Sequence, residues 1–363
     1  VEDVDEHSNL FHSYLSERNF DPPKFEYTRT QTSVTTIRYA LNSMMDTSDR
    51  SFRIDPTWKD AVNDVYLRHK PLMSTCGLSS SEEIEAGLTK TASSGFPHIY
   101  EGCQTTLQWI EKSKRLHGDV LTASKNYADV NFQFAVYMAT MKKELVAKAK
   151  LLRRKQRMFM IQPKQLVVLH KHYFSKQSKA LRNQNEYAHG TCWFWGAVDR
   201  LARDLEGGLV ESKDFEFWDK KFLFMEDIYQ IRQQWLTNAI GEISSTDKPY
   251  IDAVVHNLRH VMLLTPLSDV YVLHDRVNPS GADATTENNC LGHDLVSHFI
   301  YRKHCESVFY HPIPAHTFKR TRYLGDDLLQ SSLDYQPGYL DFYIENIHRV
   351  GLKLKENART DGP

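Results

Sequence analysis

The 363-residue chain is 41% hydrophobic and 25% charged with a formal net charge of −1, and it has room for one large or two to three smaller domains with an ample core. No run approaches the roughly 18 apolar residues that a membrane span requires, and no basic-then-apolar leader follows Val1, so neither a membrane-spanning nor a secretory protein is indicated. Five scattered cysteines (Cys76, Cys103, Cys192, Cys290 and Cys305) lack Cys-x2-Cys spacing, which speaks against a disulfide framework or zinc knuckle and for a reducing, cytosolic compartment.

A first residue Val1 in place of methionine suggests a fragment or a product cut from a larger precursor. Residues 1 to about 50 are polar and aperiodic, broken by Pro22-Pro23, and read as an arm lying over another domain. From Thr57 to Lys70 the positions Trp58, Ala61, Val65 and Leu67 predict a helix, followed by a Ser-rich loop from Ser74 to Ser81. The segment Ala92-Ser93-Ser94-Gly95-Phe96-Pro97 is a turn whose small hydroxyls and glycine would also suit a nucleic-acid backbone. Leu107 to Leu116 and Phe132 to Leu152 read as helices, and Met158 to Ile161 as a short strand ended by Pro163.

The near-zero net charge conceals an asymmetry: Lys142 to Arg182 holds thirteen Lys and Arg against the single acid Glu144. A solvated helix face would account for such a run, but no acid nearby in the sequence neutralises it, so a polyanion such as nucleic acid or a triphosphate is a natural partner. His170, His172, His293 and His298 are read as surface or core histidines, not metal ligands.

Leu209 to Phe215 predicts a strand with Asp214 near its end, and Phe222, Met225, Ile228, Ile231 and Trp235 predict a helix for which Asp219 would serve as N-cap. The Asp-x4-Asp spacing lets both carboxylates face one cavity. A long helical connection then leads to a tight loop, Asn278-Pro279-Ser280-Gly281, and a helix from about Thr285 on which Thr285 and Asn289 share a face. Thr317 to Tyr323 and Leu328 to Leu333 read as a hairpin whose turn presents Asp326 and Asp327 side by side. Adjacent carboxylates repel, so such a pair is hydrated, matched to cations, or holding a metal for which oxygen-only ligands favour magnesium or manganese.

Taken in order, Ser94-Gly95-x-Pro97, Lys155-x-Arg157, Asp214-x4-Asp219, Ser280-Gly281-x3-Thr285-x3-Asn289 and Gly325-Asp326-Asp327 form a set that resembles the viral RNA-dependent RNA polymerases, most closely the picornavirus-like group with caliciviruses and astroviruses. The resemblance implies an α+β right hand with an antiparallel palm sheet and helical fingers: an N-terminal arm and fingers over 1–90, fingers with the basic nucleotide-entry stretch over 91–205, and mainly palm over 206–363, with a fingers helix insertion around 236–275. It implies template-directed RNA synthesis from NTPs on an RNA template and primer, with Asp214, Asp326 and Asp327 holding Mg2+ or Mn2+. Lys142, Lys155 and Arg157 match the triphosphate grip, Asp219, Thr285 and Asn289 the ribose-reading set, Ser280 and Gly281 the mobile nucleotide loop, and Ser93, Ser94, Gly95 and Pro97 the template path.

The sequence departs from the family at three places. Leu324 stands where many relatives have tyrosine, and Arg359 where relatives commonly carry a lysine general acid, leaving Arg359 to act by charge alone or Lys355 or Lys353 to reach the site instead. The chain stops at Pro363, so the family's thumb is expected to be missing. The resemblance further implies other viral replication proteins as partners, initiation either on a protein primer or de novo, and a site in the host cytoplasm at membrane-associated replication complexes. A reverse transcriptase and a non-catalytic RNA-binding scaffold are the competing readings; the Asp219, Thr285, Asn289 set argues against the first.

Overall fold

A computed structural model of the chain describes residues 27–30, 33–42, 44, 50–131, 135–147, 156–188, 196–216, 218–275, 277–312 and 318–361. Among them the strands, in chain order, are β1 (Tyr27–Arg29), β2 (Val136–Met141), β3 (Leu145–Ala147), β4 (Met158–Ile161), β5 (Leu209–Phe215), β6 (His260–Leu264), β7 (Val270–His274), β8 (Arg322–Leu324), β9 (Asp327–Ser331) and β10 (Leu354–Asp361). The chain divides into two compact units, Val1–Leu41 with Met141–Met158, and Asn42–Thr140 with Phe159–Pro363.

In the smaller unit β1 pairs antiparallel with β3, setting Tyr27 opposite Ala147, and Thr30 N–H extends the ladder to the Glu144 carbonyl at 3.1 Å. The helix Val34–Asn42 starts at Ser33, whose Oγ accepts from Thr36 N–H at 3.2 Å. Its Ile37, Ala40 and Leu41 are buried along one side.

The larger unit holds two sheets. The first has the order β4-β2-β6-β7, with β2 parallel to β6 and β6 antiparallel to β7. It corrects two expectations. Phe132 to Leu152 is not a helix: its described part is β2 and β3, and in β2 burial alternates so that Tyr137, Ala139 and Met141 face inward. Alanine, methionine and lysine favour helices locally, and pairing on the sheet overrides that preference. The connection expected to be helical around 236–275 is partly β, since after the helix Lys248–Arg259 the β-rich runs of β6 and β7 fold back as a hairpin.

The second sheet, β10-β5-β9-β8, is antiparallel throughout. Beside it lies the helix Thr285–Ser307, packed by β8 and by the helices Pro56–Met73 and Tyr339–Asn346, and buried along nearly all of its circumference. Such a helix has to satisfy its polar groups internally. Asp294 does so as the hub of a buried network, accepting from Arg68 Nη1 at 2.6 Å, His69 Nε2 at 3.0 Å, Tyr187 OH at 3.1 Å and Tyr323 OH at 3.2 Å, with His298 Nδ1 at 3.3 Å. Burial alone would raise the Asp294 pKa, but the Arg68 guanidinium, with His298 and His69 bonded to the carboxylate, holds it well below the usual range. The architecture is therefore α+β, as expected, with one carboxylate tying β8 to two helices.

Removing that carboxylate leaves the buried Arg68 with Glu186 alone, at 3.0 Å, as its counter-charge. Asp294→Ala should cost about 3–5 kcal/mol in chemical denaturation. Because the native pKa is depressed, the Asp294 contribution is complete above the ordinary carboxylate value of about 4 and is lost only as pH falls further. The gap between parent and variant should hold from pH 7 to pH 5, and a gap already closing at pH 6 would contradict an ionised Asp294.

Candidate active site

The β8–β9 hairpin turns on two residues, since Leu324 pairs with Asp327 across Gly325 and Asp326. Gly325 takes a φ of +64°, the left-handed conformation that primed hairpin turns require and glycine supplies at least cost. Alternation along β8 sends Tyr323 inward to Asp294 and leaves Asp326 and Asp327 exposed at the tip. On the neighbouring strand the β5–β9 register sets Lys213 opposite Leu328, so one further step brings Asp214 alongside Asp327. Three carboxylates from two distant stretches of sequence thus collect at one end of the sheet.

Their charges are felt. The Asp327 carboxyl is pushed up by partial burial and by the negative charge of Asp326 and Asp214, while Lys355 pulls it back. Lys355 projects from β10 and forms an ion pair with Asp214. Arg359 lies further along the same strand, opposite Glu211, and its guanidinium is engaged by Glu211 and Asp341. Lys353 pairs with Glu216 at 3.3 Å. Of the three candidate cations, Lys355 is therefore the one at Asp214. As a donor set, three carboxylates in mutual repulsion suit a hard divalent cation, though among the described residues no three acidic, histidine or cysteine side chains are already arranged as a metal site.

The turn rests on rings that sequence periodicity did not single out. His293 stacks on Trp218 at 3.7 Å and 13°, with Tyr323 parallel on the hairpin side at 6.2 Å. Burial pushes the His293 pKa down to about 3, so the ring is a neutral spacer in the core.

Asp219 does not cap a helix. It lies in a short 3-10 turn, Trp218–Lys220, while the following helix, Met225–Ile240, starts from Phe224. Its Oδ1 instead accepts from Asn289 Nδ2 at 2.7 Å, and Asn289 Oδ1 accepts from Asn278 Nδ2 at 2.6 Å. Asn278 Nδ2 also reaches the Thr285 carbonyl at 2.8 Å, and Thr285 Oγ1 faces the Pro279 and Ala282 carbonyls at 2.7 and 2.8 Å. The structure brings the Asp219, Thr285 and Asn289 set together and adds Asn278 as its connector, a residue that the sequence offered only as part of a tight loop.

Ser280 and Gly281 are exposed on that loop. Gly281 bridges to Ile161, and a Cβ there would lie 2.2 Å from the Met160 carbonyl oxygen, so only glycine fits without moving backbone. Ser93 to Pro97 form a tight turn: Ser93 Oγ accepts from Gly95 N–H at 3.2 Å, Gly95 has a φ of +74°, and buried Ser94 donates to the Cys103 carbonyl. Ser93 and Pro97 are the partly exposed members of the four predicted template residues.

In the smaller unit Lys142 N–H bonds the Arg157 carbonyl at 2.9 Å, so two of the three predicted triphosphate cations are neighbours, both exposed. Lys155 lies outside the described residues. The C-terminal half of the basic stretch is not unneutralised after all, because folding supplies acids remote in sequence: Lys171 pairs with Asp283, Lys176 with Glu83 and Arg182 with Glu287.

Residues 14–361 match the family described as viral RNA-dependent RNA polymerase, and the chain belongs to that family. No curated protein matches the chain.

Gly281→Ala should cost about 1–3 kcal/mol by chemical denaturation, since the added methyl must displace the Met160 backbone. A Gly281→Ala protein as stable as the parent would mean that the loop and β4 do not approach this closely.

Proposed function

We propose that the chain carries out template-directed RNA synthesis, transferring nucleotides from NTPs to an RNA 3′-hydroxyl by a two-metal mechanism in the genome replication of a positive-strand RNA virus. The observation that carries this reading is the convergence of Asp214 with Asp326 and Asp327 on a sheet whose neighbouring helix holds Asp219 through Asn289. On this reading the β10-β5-β9-β8 sheet is the palm, and Lys142, Lys155 and Arg157 belong to the fingers.

Asp214, Asp326 and Asp327 would hold the divalent ions, Mg2+ or Mn2+. When bound, such ions supply activation of the 3′-hydroxyl and neutralisation of the pyrophosphate leaving group. Lys355, already at Asp214, is the cation positioned to hold a proton near the reacting phosphates, and an ammonium releases a proton more readily than the Arg359 guanidinium. The Asp219, Asn278, Thr285 and Asn289 network reads the ribose: a buried polar group built to meet a 2′-hydroxyl is left unpaired by a deoxynucleotide. Ser93 and Pro97 would lie on the template path. Partners beyond RNA and NTPs are other viral replication proteins in the host cytoplasm, with initiation either on a protein primer or de novo; among the described residues no helix is long and apolar enough to cross a membrane.

Primer extension on poly(A) with labelled UTP and magnesium or manganese tests the reading. The parent should incorporate and Asp326→Asn should not; RNA binding by both with incorporation by neither would leave either a fragment that needs its thumb or an RNA-binding scaffold, and restoring a longer C-terminus would separate the two. Asn289→Ala should lower the preference for UTP over dUTP by about 5- to 150-fold, the cost of leaving one buried polar group unpaired at roughly 1–3 kcal/mol. An unchanged ratio would put Asn289 outside the ribose pocket.

A further inference from the structure

The Ser280–Gly281 loop is held from two sides. On one, Asn278 and Thr285 tie it to the Asn289 network. On the other, Asp283, two residues beyond Gly281, reaches into the protein. Its Oδ2 meets His170 Nδ1 at 2.8 Å, its Oδ1 meets Lys171 Nζ at 2.7 Å, and its backbone N–H donates to Gln162 Oε1 at 2.8 Å. Gln162 is itself fixed by Nε2 donating to Tyr137 OH at 3.2 Å, on β2.

Behind His170 the hydrogen bonds run in one direction. Arg232 Nη2 donates to Asn288 Oδ1 at 3.1 Å, and Asn288 Nδ2 donates to Tyr229 OH at 3.3 Å. The Tyr229 hydroxyl donates to His170 Nε2 at 2.6 Å, which leaves Nδ1–H to donate to Asp283. Every member except Asp283 is buried, and Arg232 is wholly so. A chain of like-directed donors ending on a carboxylate is mutually polarising, with a buried guanidinium at one end and the loop's only carboxylate at the other. Neither Arg232 nor His170 belongs to the family of motifs recognised in the sequence, and nothing in the polymerase reading accounts for this relay.

We propose that Asp283 is a positioning residue: by latching to His170 and Lys171 it fixes the Ser280–Gly281 loop in the place from which the loop meets the incoming nucleotide, and so sets nucleotide affinity without touching the reacting atoms. The inference rests on the reading of that loop as a nucleotide contact. Since Gly281 already abuts the Met160 carbonyl, the loop has no slack toward β4, and release of Asp283 can only let it move outward.

The test compares the full chain with Asp283→Asn and with Lys171→Met, which removes the outer ion pair and leaves the buried relay whole. Two readouts are needed. Amide hydrogen exchange over 279–284 should quicken about tenfold in Asp283→Asn and about two- to threefold in Lys171→Met, with the helix Met225–Ile240 unchanged. In primer extension the KM for UTP should rise by a similar factor while kcat and RNA affinity stay within about twofold. Unchanged exchange in both variants overturns the latch whether or not the chain polymerises. Faster exchange with an unchanged KM overturns the role in nucleotide affinity. A parent that incorporates nothing even with a longer C-terminus restored overturns the polymerase reading and the nucleotide role with it, and the exchange result then decides the latch alone. Should Asp283→Asn fail to fold, Lys171→Met carries the same comparisons.

Discussion

The position of the carboxylate hairpin depends on a charge buried beneath it. Asp294 gathers Arg68, His69, Tyr187 and Tyr323, and Tyr323 is the residue from which the turn to Asp326 and Asp327 departs. The strand is gripped from its other edge as well, where Tyr323 N–H donates to the Glu186 carbonyl at 2.8 Å and Glu186 in turn meets Arg68 at 3.0 Å. A buried ion pair of this kind is weak evidence for added stability, because desolvating both charges offsets much of their attraction. What it does supply is direction: hydrogen bonds to one carboxylate from three segments, the helix Pro56–Met73, Tyr187 and β8, leave β8 a single seat.

Around that seat the candidate site's groups divide by the kind of element that carries them. Carboxylates whose mutual distance matters, Asp214 and Asp327, stand on adjacent central strands, where register fixes them. The pair proposed to meet the incoming nucleotide, Ser280 and Gly281, stands on a loop whose freedom is limited by ties at Asn278 and Asp283. Lys355 joins the two sets from the edge strand β10, where a flexible stem can follow changes in charge at Asp214.

Much of this was legible in the sequence, for reasons that differ residue by residue. Asp214, Asp326 and the Thr285–Asn289 pair are visible because strand ends, a Gly-Asp turn and i, i+4 spacing are local patterns. Asp219 was seen as a partner of Asp214 but read also as a helix cap, since the 3-10 turn that separates it from the helix leaves no periodic trace. Phe132 to Leu152 misled because its alanines and lysines carry helix propensity, while its sheet partner β6 lies far away in sequence. The basic stretch misled for a related reason: Glu83, Asp283 and Glu287 neutralise its second half, and none is near it in the chain. His293 and Asp283 were invisible as contributors because a buried neutral ring and a loop acid look ordinary until their neighbours are known.

The strand order β10-β5-β9-β8 also has a history during synthesis. β5 emerges from the ribosome well before either of its neighbours, β9 and β10, both of which follow the long helix Thr285–Ser307. Through that interval its two edges offer unpaired amides and carbonyls to any other nascent chain. Its buried residues include Glu211 and Lys213 beside Phe215, the two charges ion-paired in the finished sheet, with burial drawing the lysine down to about 8 against the pull of Glu211. Two charges pointing to the future core make β5 a poor template for a foreign strand, so a pair that adds little to the folded state guards the half-made one.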